Sequence, residues 1–123
     1  MSTFRIGDIE FGIGSIEAEN KNDTVTIGIT TDAGKFEKAI SGTEFDWFEF
    51  PPTFYVIGLP LENGSLNIEL DDDLSKEYEF ALVMMEHYPL RGRLTYQHHT
   101  VCFSGTVDFW GNELYQLEIK ATY

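Results

Sequence analysis

The chain has 123 residues, of which 42% are hydrophobic and 15% aromatic, and no apolar run approaches the roughly 20 residues that a membrane-spanning helix needs. This composition excludes a disordered chain and predicts a single domain over residues 1–123. With 21 acidic against 8 basic residues the formal net charge is -13, which disfavours nucleic acid and anionic membranes as partners and favours a cationic protein.

The sequence favours a cytoplasmic location. Its first ten residues contain no apolar run and include two acids, unlike a secretory signal. The single cysteine, Cys102, cannot form an internal disulfide, which is compatible with a reducing compartment.

The first part of the chain has the period-two alternation of β-strands. Between Thr3 and Ile13 the apolar positions change from even to odd at Gly7-Asp8. This change predicts two short strands, or one bent strand, with a tight turn or bulge at the glycine. Thr24 to Thr31 alternates regularly, with Val25, Ile27 and Ile29 predicted to face the core.

The segment from Phe36 to Ile40, which follows turn residues Asp32 to Lys35, fits two structures. Phe36, Ala39 and Ile40 have helical spacing, whereas Phe36, Lys38 and Ile40 would share one face of a strand. Because a helix this short depends on tertiary packing for its stability, we favour a strand.

Glu44 to Phe50 has the most unusual composition in the chain, with three acids interleaved with four large aromatic residues. Pro51-Pro52 then stops any helix and favours an extended backbone. Since adjacent side chains of an extended segment point in opposite directions, we expect at least one of Trp47 and Phe48 to be exposed.

Asn63-Gly64 is the strongest hairpin signal in the sequence. It precedes an alternating strand that ends in the acidic run Asp71 to Asp73. Calcium loops need alternating oxygen ligands, a spacing that this run lacks, so we expect a solvated acidic turn there.

From Glu77 to Tyr123 the alternation predicts a four-stranded antiparallel meander. Its first strand, which extends through Met85, is apolar on both faces, so we expect it to lie in the interior of a sheet. Matching the buried faces places Leu94 opposite Phe103 and Tyr96 opposite Val101, with a turn at His98-His99.

The last hairpin of this meander must pair odd positions with odd positions to keep apolar side chains on one face. We therefore expect three or five loop residues around Trp110-Gly111-Asn112, with Val107 opposite Leu117 and Phe109 opposite Tyr115.

Catalysis finds little support in the sequence, and we assign no catalytic residue, metal site or cofactor. His87 is expected at one end of the meander and His98 and His99 at the other, too far apart to share a metal or a proton relay. Cys102 has no evident neighbouring base. Carboxylate pairs are too abundant to select one for acid–base chemistry.

The distribution of charge is the strongest functional signal. Between Glu44 and Glu79 there are ten acids and one base, Lys76, whereas the rest of the chain has eleven acids and seven bases. If these acids share a face with exposed aromatic residues, they form a surface for a basic partner. The predicted partner-binding residues are Glu44, Asp46, Trp47, Glu49, Asp71, Asp72, Asp73, Glu77 and Glu79.

Together these patterns predict an all-β fold, an antiparallel β-sandwich or flattened barrel of eight to nine strands. The leading hypothesis is a non-enzymatic, acidic inhibitor or immunity-type protein that masks the basic surface of a toxin or nuclease. The alternative is a small-molecule or carbohydrate carrier, which would need an internal cavity lined by Phe103, Tyr115 and Tyr96.

Overall fold

The computed structural model describes residues 2–110 and 113–123, which form two antiparallel β-sheets around one hydrophobic core. The regular elements in chain order are β1 (Thr3–Ile6), β2 (Ile9–Glu10), β3 (Ile13–Lys21), β4 (Thr24–Thr31), α1 (Phe36–Ile40), β5 (Thr53–Pro60), β6 (Leu66–Leu70), a 3₁₀ helix (Leu74–Lys76), β7 (Glu79–Val83), β8 (His87–Tyr88), β9 (Leu90–Gln97), β10 (Thr100–Asp108) and β11 (Leu114–Thr122).

The two sheets pack face to face as a sandwich, which confirms the predicted all-β class. One sheet has six strands in the order β2-β1-β11-β10-β9-β6, and the other has five in the order β3-β4-β5-β7-β8. Phe54 of β5 and Phe103 of β10 meet between them, with ring centroids 5.4 Å apart. The described residues contain eleven strands rather than eight or nine, because β2 and β8 are two-residue strands that follow tight turns.

Side-chain alternation explains the strands nearest the N-terminus. β4 has the bounds that the sequence predicts, and Val25, Ile27 and Ile29 are fully buried. β1 and β2 are the two short strands expected around Gly7, which has a φ of 57°. Its N–H donates to the carbonyl oxygen of Gln116 at 2.8 Å, so the turn is also fixed against the sheet.

Phe36–Ile40 is an α-helix, so the expectation of a strand was wrong. Phe36 and Ile40 lie one helical turn apart and both are buried in the core. The N–H of Ala39 donates to the Lys35 carbonyl at 3.0 Å. Packing of this one face stabilises a helix that its length alone would leave marginal.

The C-terminal meander has three strands, β9 to β11, rather than the predicted four. β7 instead lies in the five-stranded sheet, flanked by β5 and β8, so its interior position was predicted correctly but its sheet was not. Alternation specifies which face of a strand is buried and leaves open which of two facing sheets contains it.

The β9–β10 register is as predicted, with Leu94 opposite Phe103 and Tyr96 opposite Val101. His98 and His99 form the turn, with φ values of 50° and 60°. In the last hairpin odd positions do pair with odd, but Val107 faces Tyr115 rather than Leu117. The predicted turn residues Gly111 and Asn112 lie outside the described residues.

Asn63-Gly64 forms the predicted turn, with φ values of 53° and 80°. Glu62 and Ser65 form a single bridge beside it, and the flanking strands β5 and β6 then enter different sheets. The turn is therefore a crossing between sheets rather than the centre of a long hairpin.

The connections divide between the two ends of the sandwich. Residues 32–52 and 84–86 connect strands at one end, which we call the loop end, and Phe109, Trp110 and Glu113 lie there between β10 and β11. The turns at Asn22-Asp23 and Asn63-Gly64 lie at the opposite end, where the Leu61 N–H donates to the Asp23 carbonyl at 2.8 Å.

Candidate functional site

A run of turns from Ser41 to Trp47 covers the loop end. The Phe45 N–H donates to Thr43 Oγ1 at 3.1 Å, and the Phe48 N–H donates to the Phe45 carbonyl at 3.0 Å. These turns direct Phe45 and Phe48 into the core and leave Trp47 43% exposed. One of the Trp47–Phe48 pair is therefore exposed as expected, although the segment turns rather than extends.

An aromatic cluster supports the exposed Trp47 from below. The Trp47 ring packs edge-on against Phe48 and Phe109, with centroid distances of 4.6 and 5.5 Å. Phe109 in turn contacts Tyr88 at 5.0 Å and Tyr115 at 5.7 Å. Trp47 is therefore held at the surface by aromatic rings that come from three other parts of the chain.

Exposed apolar side chains are concentrated at the same end. Seven large hydrophobic side chains are well exposed in the described residues, and five of them lie on loop-end connections or at the first residue of β11. Exposed apolar side chains that gather in one region, especially beside polar residues, are typical of interaction sites. We call this group the loop-end surface, and it consists of Trp47, Phe50, Met85, Trp110 and Leu114.

Two clefts lie on either side of Trp47. The methionine cleft has a volume of about 240 Å³ and is lined by Trp47, Glu49, Met84, Met85, Glu86 and Tyr88. The tyrosine cleft has a volume of about 460 Å³ and is lined by Glu44, Trp47, Phe109, Glu113 and Tyr115. Each cleft therefore combines aromatic walls with two carboxylates.

The carboxylates of the two clefts have no basic partner among the ion pairs of the described residues. The ion pairs among the described residues join Arg5 to Glu10, Lys76 to Asp73, Arg91 to Asp72 and Arg93 to Glu69. None of these pairs involves a cleft carboxylate. The Tyr115 hydroxyl donates to Glu44 Oε2 at 3.1 Å, and burial together with this carboxylate raises the pKa of Tyr115. The clefts are thus both apolar and negatively charged.

The nine residues predicted to bind a partner are all exposed, but they lie in three places. Glu44, Asp46, Trp47 and Glu49 belong to the turn segment at the loop end. Asp71, Asp72, Asp73 and Glu77 surround the 3₁₀ helix, and Glu79 begins β7.

The Asp71–Asp73 run has a structural role of its own. Asp71 Oδ1 accepts a hydrogen bond from the Leu74 N–H at 2.8 Å, at the start of the 3₁₀ helix. Asp72 forms a two-point contact with Arg91, in which Nη2 and Oδ2 are 2.6 Å apart. Asp73 pairs with Lys76 at 3.4 Å. These contacts anchor the connection between the two sheets and partly neutralise the run.

Glu79 belongs to a small polar cluster that the sequence did not reveal. The Tyr55 hydroxyl donates to Glu79 Oε1 at 3.1 Å and lies 3.0 Å from His87 Nδ1. Burial, with the nearby Glu79 carboxylate, raises the pKa of Tyr55 to about 12. The three residues come from β5, β7 and β8, which are neighbours only because β7 joins the five-stranded sheet.

Tyr55 should make stability fall at alkaline pH. Its pKa rises from 10.0 to about 12 on folding, so its contribution is complete below about pH 10 and is lost as the pH rises towards 12. Urea unfolding across this range should therefore show the stability difference between wild type and Tyr55→Phe shrinking as the pH increases. A difference that stays constant to pH 12 would contradict the assignment.

Several residues of the loop-end surface and of its two clefts were missed by sequence reasoning. Met84 and Met85 were expected inside a strand, but β7 ends at Val83 and Met85 is 67% exposed in the following turn. Glu86 and Glu113 lie outside the acid-rich middle of the chain. Only their positions in the chain could have identified them. Each lies in a connection between strands that reaches the loop end once the strands are assigned to the correct sheets.

The aromatic residues proposed to line a carrier's cavity have different surroundings. Phe103 is buried against Phe54 in the middle of the sandwich. The Tyr96 hydroxyl lies 2.9 Å from that of Tyr123, and Tyr115 lies in the tyrosine cleft at the loop end. The arrangement gives the carrier hypothesis no specific support.

In the described part of the chain no group of three or more histidine, cysteine or acidic side chains is arranged to hold a metal ion. No helix within residues 2–110 and 113–123 is long and apolar enough to cross a membrane. Comparisons of the chain with protein-family models, with curated proteins and with solved structures gave no match.

Proposed function

We propose that this protein is a non-enzymatic binding module that captures a basic protein through its loop-end surface. The observation that supports this proposal is the exposed Trp47, which lines two clefts that each carry two carboxylates without a paired base among the described residues. A binding surface of this type combines a central aromatic anchor with charges that select the partner.

The two components of the surface have different roles in binding. Trp47, Met85 and their neighbours supply apolar area that becomes buried in the complex, which determines how slowly the partner dissociates. Glu44, Glu49 and the other acids attract a cationic surface before contact, which raises the association rate. The net charge of -13 adds a long-range contribution of the same sign.

We propose that acids outside the loop end also take part in binding. Tyr88 lines the methionine cleft and also a third cleft, which has a volume of about 240 Å³ and is lined by Glu79 and Ser75 among others. Ser75 lies within the 3₁₀ helix that Asp71, Asp73 and Glu77 surround. We propose that the loop end makes the central contact and that these acids form its outer rim.

The partner class that fits such a surface is a toxin or nuclease whose own active surface is basic. In this proposal the protein is an inhibitor or immunity-type protein that covers that surface and stops access of the anionic substrate. We expect the encounter to take place in the cytoplasm, where the free thiol of Cys102 would stay reduced.

The proposal is tested by capture from the source cell's lysate at about 0.1 M salt and elution at about 1 M salt, where screening reduces the Debye length from ~10 Å to ~3 Å. The wild-type protein should retain proteins of high isoelectric point and release them at high salt. A variant with Glu44→Gln, Glu49→Gln, Glu86→Gln and Glu113→Gln should lose them.

A matched control removes the same amount of charge outside the loop end. It carries Glu17→Gln, Glu19→Gln, Asp23→Asn and Glu62→Gln, all at exposed positions, of which the first two lie in β3 and the last two on the turns at the opposite end. The control should retain the same basic proteins as the wild type. Equal losses in both variants would mean that total charge, and not the loop-end surface, attracts them, and the proposal would be rejected.

A further inference from the structure

The methionine cleft suits a smaller ligand than a whole protein surface. It is formed where the β7–β8 turn meets the segment that carries Trp47 and Glu49. The Met84 N–H donates to the Glu86 carbonyl at 3.1 Å, which makes this turn tight and places Met85 at its tip. Glu49 approaches from the other segment, so the cleft has a carboxylate on each side.

The side chains that line the cleft favour a ligand with both apolar and charged parts. Trp47 and the buried Tyr88 supply aromatic rings that lie 6.5 Å apart, and Met84 and Met85 supply flexible thioethers. A ligand that satisfies both the walls and the two carboxylates needs an apolar stem and a positively charged head. Basic side chains of proteins have this combination.

The size of the cleft indicates one side chain. Its volume of about 240 Å³ is below the range of roughly 300–1,000 Å³ that is typical of sites for drug-sized ligands and cofactors. A single long side chain that inserts from a partner's surface is the matching occupant.

We infer that the methionine cleft receives one arginine side chain of the basic partner. This inference rests on the proposed function and names the contact at its centre. A guanidinium group is planar, stacks on aromatic rings and offers donors to two carboxylates at once, whereas the lysine ammonium is compact and strongly hydrated. Glu49 and Glu86 hold the charged head, and the methionines cover the stem.

The test is an NMR titration of the protein with N-acetyl-arginine amide. The experiment uses Trp110→Phe, which leaves Trp47 as the only tryptophan, because the sequence has two. We expect the shifts to be concentrated at the Trp47 indole N–H and at the methyl groups of Met84 and Met85. N-acetyl-lysine amide should bind about threefold more weakly, and the uncharged N-acetyl-citrulline amide should cause no comparable shifts.

Two matched double variants separate this cleft from general electrostatic attraction. Glu49→Gln with Glu86→Gln should weaken arginine binding by about tenfold, since both partners of the guanidinium lose their charge. Glu17→Gln with Glu19→Gln removes the same charge from two exposed positions of β3 and should leave arginine binding nearly unchanged. Unfolding curves of both variants verify that the fold is retained.

The outcomes distinguish this inference from the proposed function. Equal weakening by the two double variants, or shifts of equal size with the citrulline compound, would overturn the arginine assignment. If the wild-type protein still captures basic proteins in a salt-sensitive manner, only that assignment fails. If it captures none, the proposed function itself is rejected.

Discussion

Replacement of Trp47 by alanine should weaken binding of the captured basic partner by about 30-fold or more, the effect of losing a central anchor worth about 2 kcal/mol. Trp47 contributes to both clefts, so its removal opens each of them to water. The measurement is the dissociation constant of the purified partner, by calorimetry or surface plasmon resonance, for wild type and variant at the same salt concentration.

Trp110→Ala is the matched control for this prediction. Trp110 is 50% exposed at the same end of the molecule but lines neither the methionine cleft nor the tyrosine cleft. Its replacement should weaken binding by less than about fivefold, as expected for contacts at the periphery of an interface. Similar losses for the two tryptophans would argue against a central role for Trp47, provided that unfolding curves show both variants to be folded.

The largest effect on stability should come from Gly105→Ala. Gly105 of β10 lies directly opposite Gly92 of β9, in the interior of the six-stranded sheet. A Cβ atom on Gly105 would overlap the carbonyl oxygen of Arg91 and would lie 2.7 Å from the Gly92 Cα. Because these neighbours are backbone atoms, the strands must separate to accept it, at an expected cost of about 3 kcal/mol or more in the free energy of unfolding.

Gly28→Ala provides the control for the glycine variant. Gly28 also lies inside a strand, yet a Cβ atom there would have no neighbour within 4 Å. We expect this variant to change the free energy of unfolding by less than about 1 kcal/mol, because alanine reduces the entropy of the unfolded chain without a clash. Urea unfolding of the two variants checks the prediction, and equal costs would show that the close approach of β9 and β10 is not what requires glycine at position 105.

The local structure of this protein could be predicted well from its sequence because most strands have one buried and one exposed face. β4 and the pairing of Leu94 with Phe103 followed from alternation alone. The β7 segment shows the limit of this reasoning. Its buried residues fit either sheet, and its actual place beside β5 depends on contacts that are distant in sequence.

The errors at Phe36–Ile40 and in the middle of the chain have the same physical origin. Phe36 and Ile40 form a helix because the core buries both side chains on one helical face. This burial outweighs the low intrinsic stability of so short a helix. Likewise, the acidity of residues 44–79 was visible in the sequence, whereas the division of these acids between the loop end and the 3₁₀ helix required the positions of the turns.

The candidate site was only half predictable for a related reason. Trp47 and Glu49 were identified because aromatic and acidic residues are adjacent in the sequence. Met85, Glu86 and Glu113 complete the clefts from connections that meet only after both sheets have formed. A surface assembled from separate loops leaves no continuous motif.

The pairing of β1 with β11 governs when this molecule can fold during synthesis. Thr3 lies opposite Lys120, so β1 must wait until β11 has been synthesised before the ladder between them can form. Until then β1 and β10 each lack a neighbour, and nascent chains carry open strand edges that other chains can join. Pairing of strands so distant in sequence also slows folding. The chain between them loses conformational entropy before the contacts of the β1–β11 ladder can stabilise the fold. The excess of negative charge, by keeping unfinished chains apart, would protect this protein during its most vulnerable period.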